Sequence, residues 1–231
     1  MDNIRLCEIN NIVRRLQKMR LLLGTSNKSK LEYMKTYFKE GEIEVFTPKD
    51  LNIEIEIEEY GITPLENARI KALAYYEESK TPVIAFDSGM YFIDLPRENE
   101  IQPGVHVRRV KGKSLSDDEM ITYYSGLAKE MGGKIRCSYY NGYAIVLDKE
   151  HIYEYMDEDA AEAFSFYLVD TPHHYRKEGW PLDSISVEIT SGKYYFDLTN
   201  EELETLNKEK AVKQEQCRRK LREFYYRSLG L

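Results

Sequence analysis

Apolar and polar positions along the chain follow two rhythms, and the switches between them mark the elements. Residues 1–18 carry Ile4, Ile9, Ile12, Val13 and Leu16 at roughly helical spacing, which predicts a short amphipathic helix ahead of the main domain. Leu21 to Gly24 predicts a short buried strand. A polar turn follows, in which Ser26 or Asn27 can cap a helix over residues 28–38. The stretch "LNIEIEIEEYG" (51–61) alternates strictly at first, with Ile53, Ile55 and Ile57 on one face and Glu54, Glu56 and Glu58 on the other, as in a half-buried strand. Glu59 has the parity of the isoleucines. If the strand continues, Glu59 faces inward, where a carboxylate needs a cation or donors; if the strand has ended, it is solvated. In "TPLENARIKALAYYEE" (63–78), Thr63 and Glu66 form a capping box, Pro64 takes the first helical position, and Asn67 and Lys71 share a face.

The second half continues in the same way. "TPVIAFDSGM" (81–90) predicts a buried strand whose carboxyl end presents Asp87, Ser88 and Gly89 in a polar turn. Ligand sites in α/β sheets collect at such ends, although Asp-Ser-Gly is also an ordinary turn. Ser116 caps a helix to about Met131, "KIRCSYYNGYAIVLD" (134–148) predicts a strand, "HIYEYM" (151–156) its hairpin partner and "FSFYLVD" (164–170) another strand. Thr199 and Glu202 make a second capping box, opening a long charged helix to about Ser228. Residues 170–195 carry no clear rhythm. With no internal repeat and no Pro/Gly-rich linker, the expectation is a helical extension over 1–18 and one domain over 19–231.

Composition narrows the function classes. The 231 residues carry a formal net charge of −7, which argues against broad nucleic-acid binding, since that rests on basic patches. The basic tail "CRRKLREFYYR" (217–227) reads as the solvated face of an amphipathic helix. The longest apolar runs are far too short to cross a bilayer, and the first twenty residues have no apolar core of a signal peptide. Cys7, Cys137 and Cys217 lie too far apart for a disulfide framework or a zinc pattern, so a reducing cytoplasm is the expected location. The 19 tyrosines are scattered and carry no assigned role.

The order of the polar signals is more specific than any one of them. "TSNKSK" (25–30), "EEYGITPLENARIKA" (58–72), "AFDSG" (85–89) and "PGVHVRR" (103–109) stand in the order and at the spacings of the inosine triphosphate pyrophosphatase family, which this chain resembles over roughly residues 19–150. The resemblance implies an α/β fold, a twisted mixed β-sheet flanked by helices, with two lobes around a cleft. It implies a nucleoside triphosphate substrate split to a monophosphate and pyrophosphate, Mg²⁺ or Mn²⁺ as cofactor, and a homodimer. The turn at Thr25, Ser26 and Asn27 would bind the triphosphate with backbone amides at a helix start, and Lys30 and Lys71 match phosphate-binding lysines. Glu59 and Asp87 match the acidic metal ligands, Asp87 with the added role of orienting or deprotonating water and Glu59 sharing it. Ser88 and Gly89 shape the phosphate turn, and Arg109 matches an arginine near the site.

The chain also departs from that pattern. The family shows A-D-D-S-G or A-E-D-S-G where this chain has Phe86 in place of the first acid. The base-contacting G-F-G-Y-D-P-x-F segment is not recognisable; Phe166 and Tyr167 lie in its region. The purine-reading S-H-R of the last helix is reduced to Arg218. Three readings follow: a metal-dependent pyrophosphatase of altered base specificity, a nucleotide-binding protein of the same fold with little or no catalysis, and a structural or interaction protein.

Overall fold

The structure is a computed structural model that describes residues 19–39 and 43–231, so the helix expected over 1–18 lies outside the described residues. Two long strands form its spine. β3 (Val83–Phe92) and β6 (Lys134–Val146) pair antiparallel along ten residues, from Val83 opposite Val146 to Phe92 opposite Cys137. β1 (Met19–Leu23) runs parallel to β3 but pairs only at Leu22 with Val83 and Leu23 with Ile84. β2 (Ile43–Phe46) lies parallel outside β1. The other edge of β6 is divided: β7 (Ile152–Met156) pairs with residues 142–146 and β8 (Phe166–Val169) with residues 134–137. β9 (Ser186–Val187) completes a mixed seven-stranded sheet, and β4 (Arg109–Val110) with β5 (Lys113–Ser114) makes a separate ribbon.

Helices cover the sheet and divide its core. On one face, α1 (Lys28–Lys35) and α5 (Asn200–Leu229) bury Leu21, Leu23, Ile84, Phe86, Tyr143 and Ile145 against Leu221, Phe224 and Tyr225. On the other, α2 (Pro64–Ser79) packs Ala68, Ala72 and Tyr75 on Leu22, Val83, Ala85, Ala144 and Val146. At the far end, α3 (Asp117–Glu130) buries Met120, Ile121 and Tyr124 against Met90, Phe92, Ile135, Cys137 and Leu168. α4 (Glu158–Ala163) links β7 to β8. The two ends meet at a waist where Asp87 stands opposite Gly142. There the start of α2 rests directly on sheet backbone: a Cβ on Gly142 would lie 2.3 Å from the Leu65 nitrogen, and one on Gly89 would lie 2.8 Å from the Gly104 carbonyl oxygen.

The predicted capping boxes at Thr63/Glu66 and Thr199/Glu202 both form, and Ser116 caps α3. Three expectations are corrected. Residues 52–60 keep the alternation, with Ile53, Ile55 and Ile57 half-buried against the α2 core, but they join no strand ladder. Asp87–Gly89 is no terminal turn; β3 runs on to Phe92 because the long-range ladder to β6 overrides local turn preference. The first helix ends at Lys35, not Phe38, because Thr36, Tyr37 and Phe38 donate to carbonyls three residues back in a tightened turn.

Candidate active site

Termination of β1 at Leu23 leaves the edge of β3 open beside residues 85–89, and side chains from four segments fill the gap. The first is the turn after β1. Gly24 lets it close against Tyr75, whose ring carbon would sit 2.9 Å from any Cβ placed there. Thr25 Oγ1 accepts the Asn27 N–H, and Asn27 Oδ1 accepts the Lys30 N–H at 3.1 Å as the N-cap of α1. Asn27 thus spends its oxygen on the cap and keeps its amide N–H groups for other partners. The second segment is α2, which presents Asn67, Lys71 and Tyr75 at intervals of four, one above another toward the sheet.

Asp87 is the centre of the arrangement. The Lys71 ammonium lies 2.8 Å from its Oδ1 and 3.0 Å from Glu59 Oε2, the Lys30 ammonium lies 3.7 Å from the same Oδ1, and Asn67 Nδ2 donates to its Oδ2 at 3.2 Å. Glu59 belongs to the third segment, the non-ladder stretch before α2. Its side chain is 41% exposed yet reaches inward to Lys71, so neither simple reading of its parity holds. Two carboxylates and two lysines cancel formally within one cavity of about 350 Å³, which also includes Gly24–Asn27, Ile55, Ile57 and Tyr75 in its lining. Burial pushes the Lys30 ammonium's pKa down and the Lys71 charge adds to this, against the pull of Asp87 and Glu59. Burial raises the Tyr75 hydroxyl's pKa.

A second, larger cleft of about 810 Å³ shares Ile57 and Glu59 as its wall, and includes Tyr60, His106, Arg108 and Arg109 in its lining. Arg109, on β4 in the fourth segment, lines this neighbouring cleft and not the cavity around Asp87. Ser88 does not join the lysines: it points to the opposite face of β3 and donates from Oγ to Asn141 Oδ1 at 2.6 Å. Gly89 lies against Gly104 and Pro64, where its missing side chain permits close packing. Phe86, on the same face as Ser88, packs against Tyr33 and Tyr143, and the Lys30 ammonium sits 4.4 Å from its ring centroid. Phe166 stacks on Tyr139 in the far core, and Tyr167 carries the Lys134 ammonium over its ring, so neither joins the cavity around Asp87. Arg218 lines a third cavity of about 340 Å³ with Tyr33, Tyr37, Asn141, Asp157 and Gln214.

The donor set suits a hard divalent cation. Glu59 and Asp87 already converge on one ammonium, which shows that a positive charge is held between them. Among the described residues no three His, Cys, Asp or Glu side chains gather as a metal cluster, so a cation here would need oxygens from water and substrate as well. Sequence reasoning placed Asn67 beside Lys71 but missed its bond to Asp87, and it missed Tyr75; continuing the interval of four along α2 would have found Tyr75.

Comparison with known proteins places the chain in a family. The Ham1 family model matches residues 21–159, and the chain belongs to the Ham1 family. It is 30% identical over 184 residues to a dITP/XTP pyrophosphatase of a Thermoanaerobacter species, covering 80% of this chain and 87% of that protein. It is 37% identical over 123 residues to the dITP/XTP pyrophosphatase of Leptospira interrogans, a match that spans 53% of this chain and 59% of that protein. The fold is similar to that of the Staphylococcus aureus Ham1 protein, with a TM-score of 0.57 at 21% identity over 85% of this chain and 99% of that one. It is also similar to a nucleoside-triphosphatase, dITP/XTP pyrophosphatase, of Mycobacterium abscessus, with a TM-score of 0.61 at 19% identity over 86% and 98%. Among the described residues no helix is long and apolar enough to cross a membrane.

Proposed function

We propose that this chain is a nucleoside triphosphate pyrophosphatase that uses a divalent cation, Mg²⁺ or Mn²⁺, and releases a monophosphate and pyrophosphate. The observation that carries the reading is the Lys71 ammonium held between Glu59 and Asp87, with Lys30 on the same Asp87 oxygen. Apo, the lysines neutralise the carboxylates. A triphosphate entering beside the Thr25–Asn27 turn draws the lysines to its oxygens, aided by the helix start at α1. Glu59 and Asp87 would hold the cation. When bound, it supplies charge stabilisation on the phosphate oxygens during displacement. Asp87, steadied through Oδ2 by Asn67, takes the proton of the water attacking the α-phosphorus, and Glu59 assists. Lys30 and Lys71 stabilise the charge that moves onto the departing pyrophosphate. Relatives bearing the dITP/XTP name support a purine triphosphate as substrate.

Base recognition is assigned in this reading to the cavity of Tyr33, Tyr37, Asn141, Asp157 and Arg218, whose Tyr33 stands on the same helix α1 as Lys30. The protein acts as a cytoplasmic homodimer and binds no nucleic acid in this reading. A second reading, binding without turnover, is favoured by Phe86 standing where the family carries an acid. Pyrophosphate release from ITP, XTP, GTP and ATP with and without Mg²⁺ separates the two: turnover that stops on chelation supports the enzyme, and tight binding with no product supports the second reading.

A further inference from the structure

Asn67 is buried, 2% exposed, and makes two bonds that tie the two acidic segments together. Its Oδ1 accepts the Gly61 N–H at 2.8 Å, which orients the amide so that Nδ2 is the group facing Asp87 Oδ2 at 3.2 Å. Gly61 stands two residues after Glu59 in the stretch that joins no ladder. A Cβ at position 61 would lie 2.6 Å from Asn67 Oδ1 and 2.9 Å from the Asn67 nitrogen, so the loop reaches the amide only with glycine there. Glu66 holds the next residue of the same loop, accepting the Ile62 N–H at 2.6 Å, but makes no bond to Asp87. Lys71 links the same two segments through charge, and that link is free to break when a triphosphate claims the ammonium. The Asn67 link has an uncharged donor and falls on Asp87 Oδ2, whereas the lysines lie on Oδ1.

We infer that Asn67 is a positioning residue: it fixes the spacing between the Glu59 loop and Asp87 and holds Asp87 Oδ2, so that Oδ1 alone is left to the lysines and the reaction. The inference rests on the proposed activity for its kinetic part and on geometry alone for its structural part. Tyr60, 75% exposed and adjacent to Gly61, gives a chymotrypsin site that reports on the loop without any activity.

The test uses the full chain with Asn67→Ala, Gly61→Ala and the double variant. Each single variant is expected to speed cleavage after Tyr60 about fivefold or more, with rates divided by those of the matching 54–66 peptide because residue 61 borders the cut bond, and by more than any loss of global stability in urea accounts for; the double variant is expected to go no further than the faster single one, since both remove one contact. On the best triphosphate, Asn67→Ala is expected to lower kcat about tenfold or more with KM within threefold of wild type, the split of a residue that orients the reacting group and does not bind substrate. Wild-type cleavage rates in both single variants, or additive rates in the double, overturn the strut. Unchanged kcat in Asn67→Ala overturns its role toward Asp87. If the wild type splits no triphosphate, the functional reading fails and the cleavage rates alone decide the strut.

Discussion

Lys71 Nζ lies 2.8 Å from Asp87 Oδ1 and bridges it to Glu59, across a gap between a helix that opens with a capping box and the middle of the longest strand pair. One cation on two carboxylates is the arrangement from which the mechanism follows, since removing Lys71 leaves two carboxylates facing one another with only the more distant Lys30 ammonium on Asp87.

Asp87→Asn is expected to lower kcat by about a hundredfold or more while leaving the near-ultraviolet circular dichroism unchanged, because it keeps the side-chain shape and removes the proton acceptor. Steady-state rates together with the spectrum check this; a variant within threefold of wild type contradicts the assignment.

The two lysines should separate kinetically. Lys30→Ala removes one charge-assisted contact to phosphate and is expected to raise KM about tenfold, with a smaller change in kcat. Lys71→Ala also strips the ammonium from Glu59 and Asp87 and is expected to lower kcat as well. Saturation curves on one triphosphate distinguish the two patterns.

Gly142→Ala tests the waist. The added Cβ meets the Leu65 nitrogen at 2.3 Å, in backbone that cannot yield like a side chain, so the variant is expected to lose about 3 kcal/mol of stability in urea unfolding. Gly126→Ala, where nothing lies near the added atom, serves as the control and should be neutral or mildly stabilising.

Burial raises the pKa of the Asp157 carboxyl, which caps α4 and lines the third cavity. A carboxyl whose folded pKa lies above its unfolded one costs stability once pH exceeds the folded value, and the cost disappears below the unfolded value near 3.8. Asp157→Asn keeps an acceptor for the Ala160 N–H. It is expected to raise the urea midpoint at pH 7.5, with the gain shrinking as pH falls toward 4. A gain that grows on acidification contradicts this.

The order of motifs was legible because each rests on local chemistry: a capping box at Thr63 and Glu66, an Asn cap at residue 27, lysines and acids at fixed intervals. The same chemistry could not report pairing at long range. Alternation in residues 51–61 records which side chains are half-buried, not whether the backbone finds a ladder partner, so a strand was expected where there is none. Asp-Ser-Gly reads locally as a turn, and only the register with Asn141 and Gly142 reveals it as mid-strand. That register also sends Ser88 and Phe86 away from Asp87, which the string "AFDSG" conceals. Tyr33 and Tyr37 were invisible as cavity walls among 19 tyrosines, since nothing in sequence distinguishes a packing ring from a binding one.

In the proposed reaction, water attacks the α-phosphorus of a nucleoside triphosphate held by Lys30, Lys71, Glu59 and Asp87. Hydrolysis of ITP and XTP with Mg²⁺ in ¹⁸O-labelled water tests it most directly. Equal amounts of monophosphate and pyrophosphate are expected, with the label in the monophosphate and both products lost in Asp87→Asn; orthophosphate with a diphosphate as products, or label in the pyrophosphate, would overturn attack at the α-phosphorus.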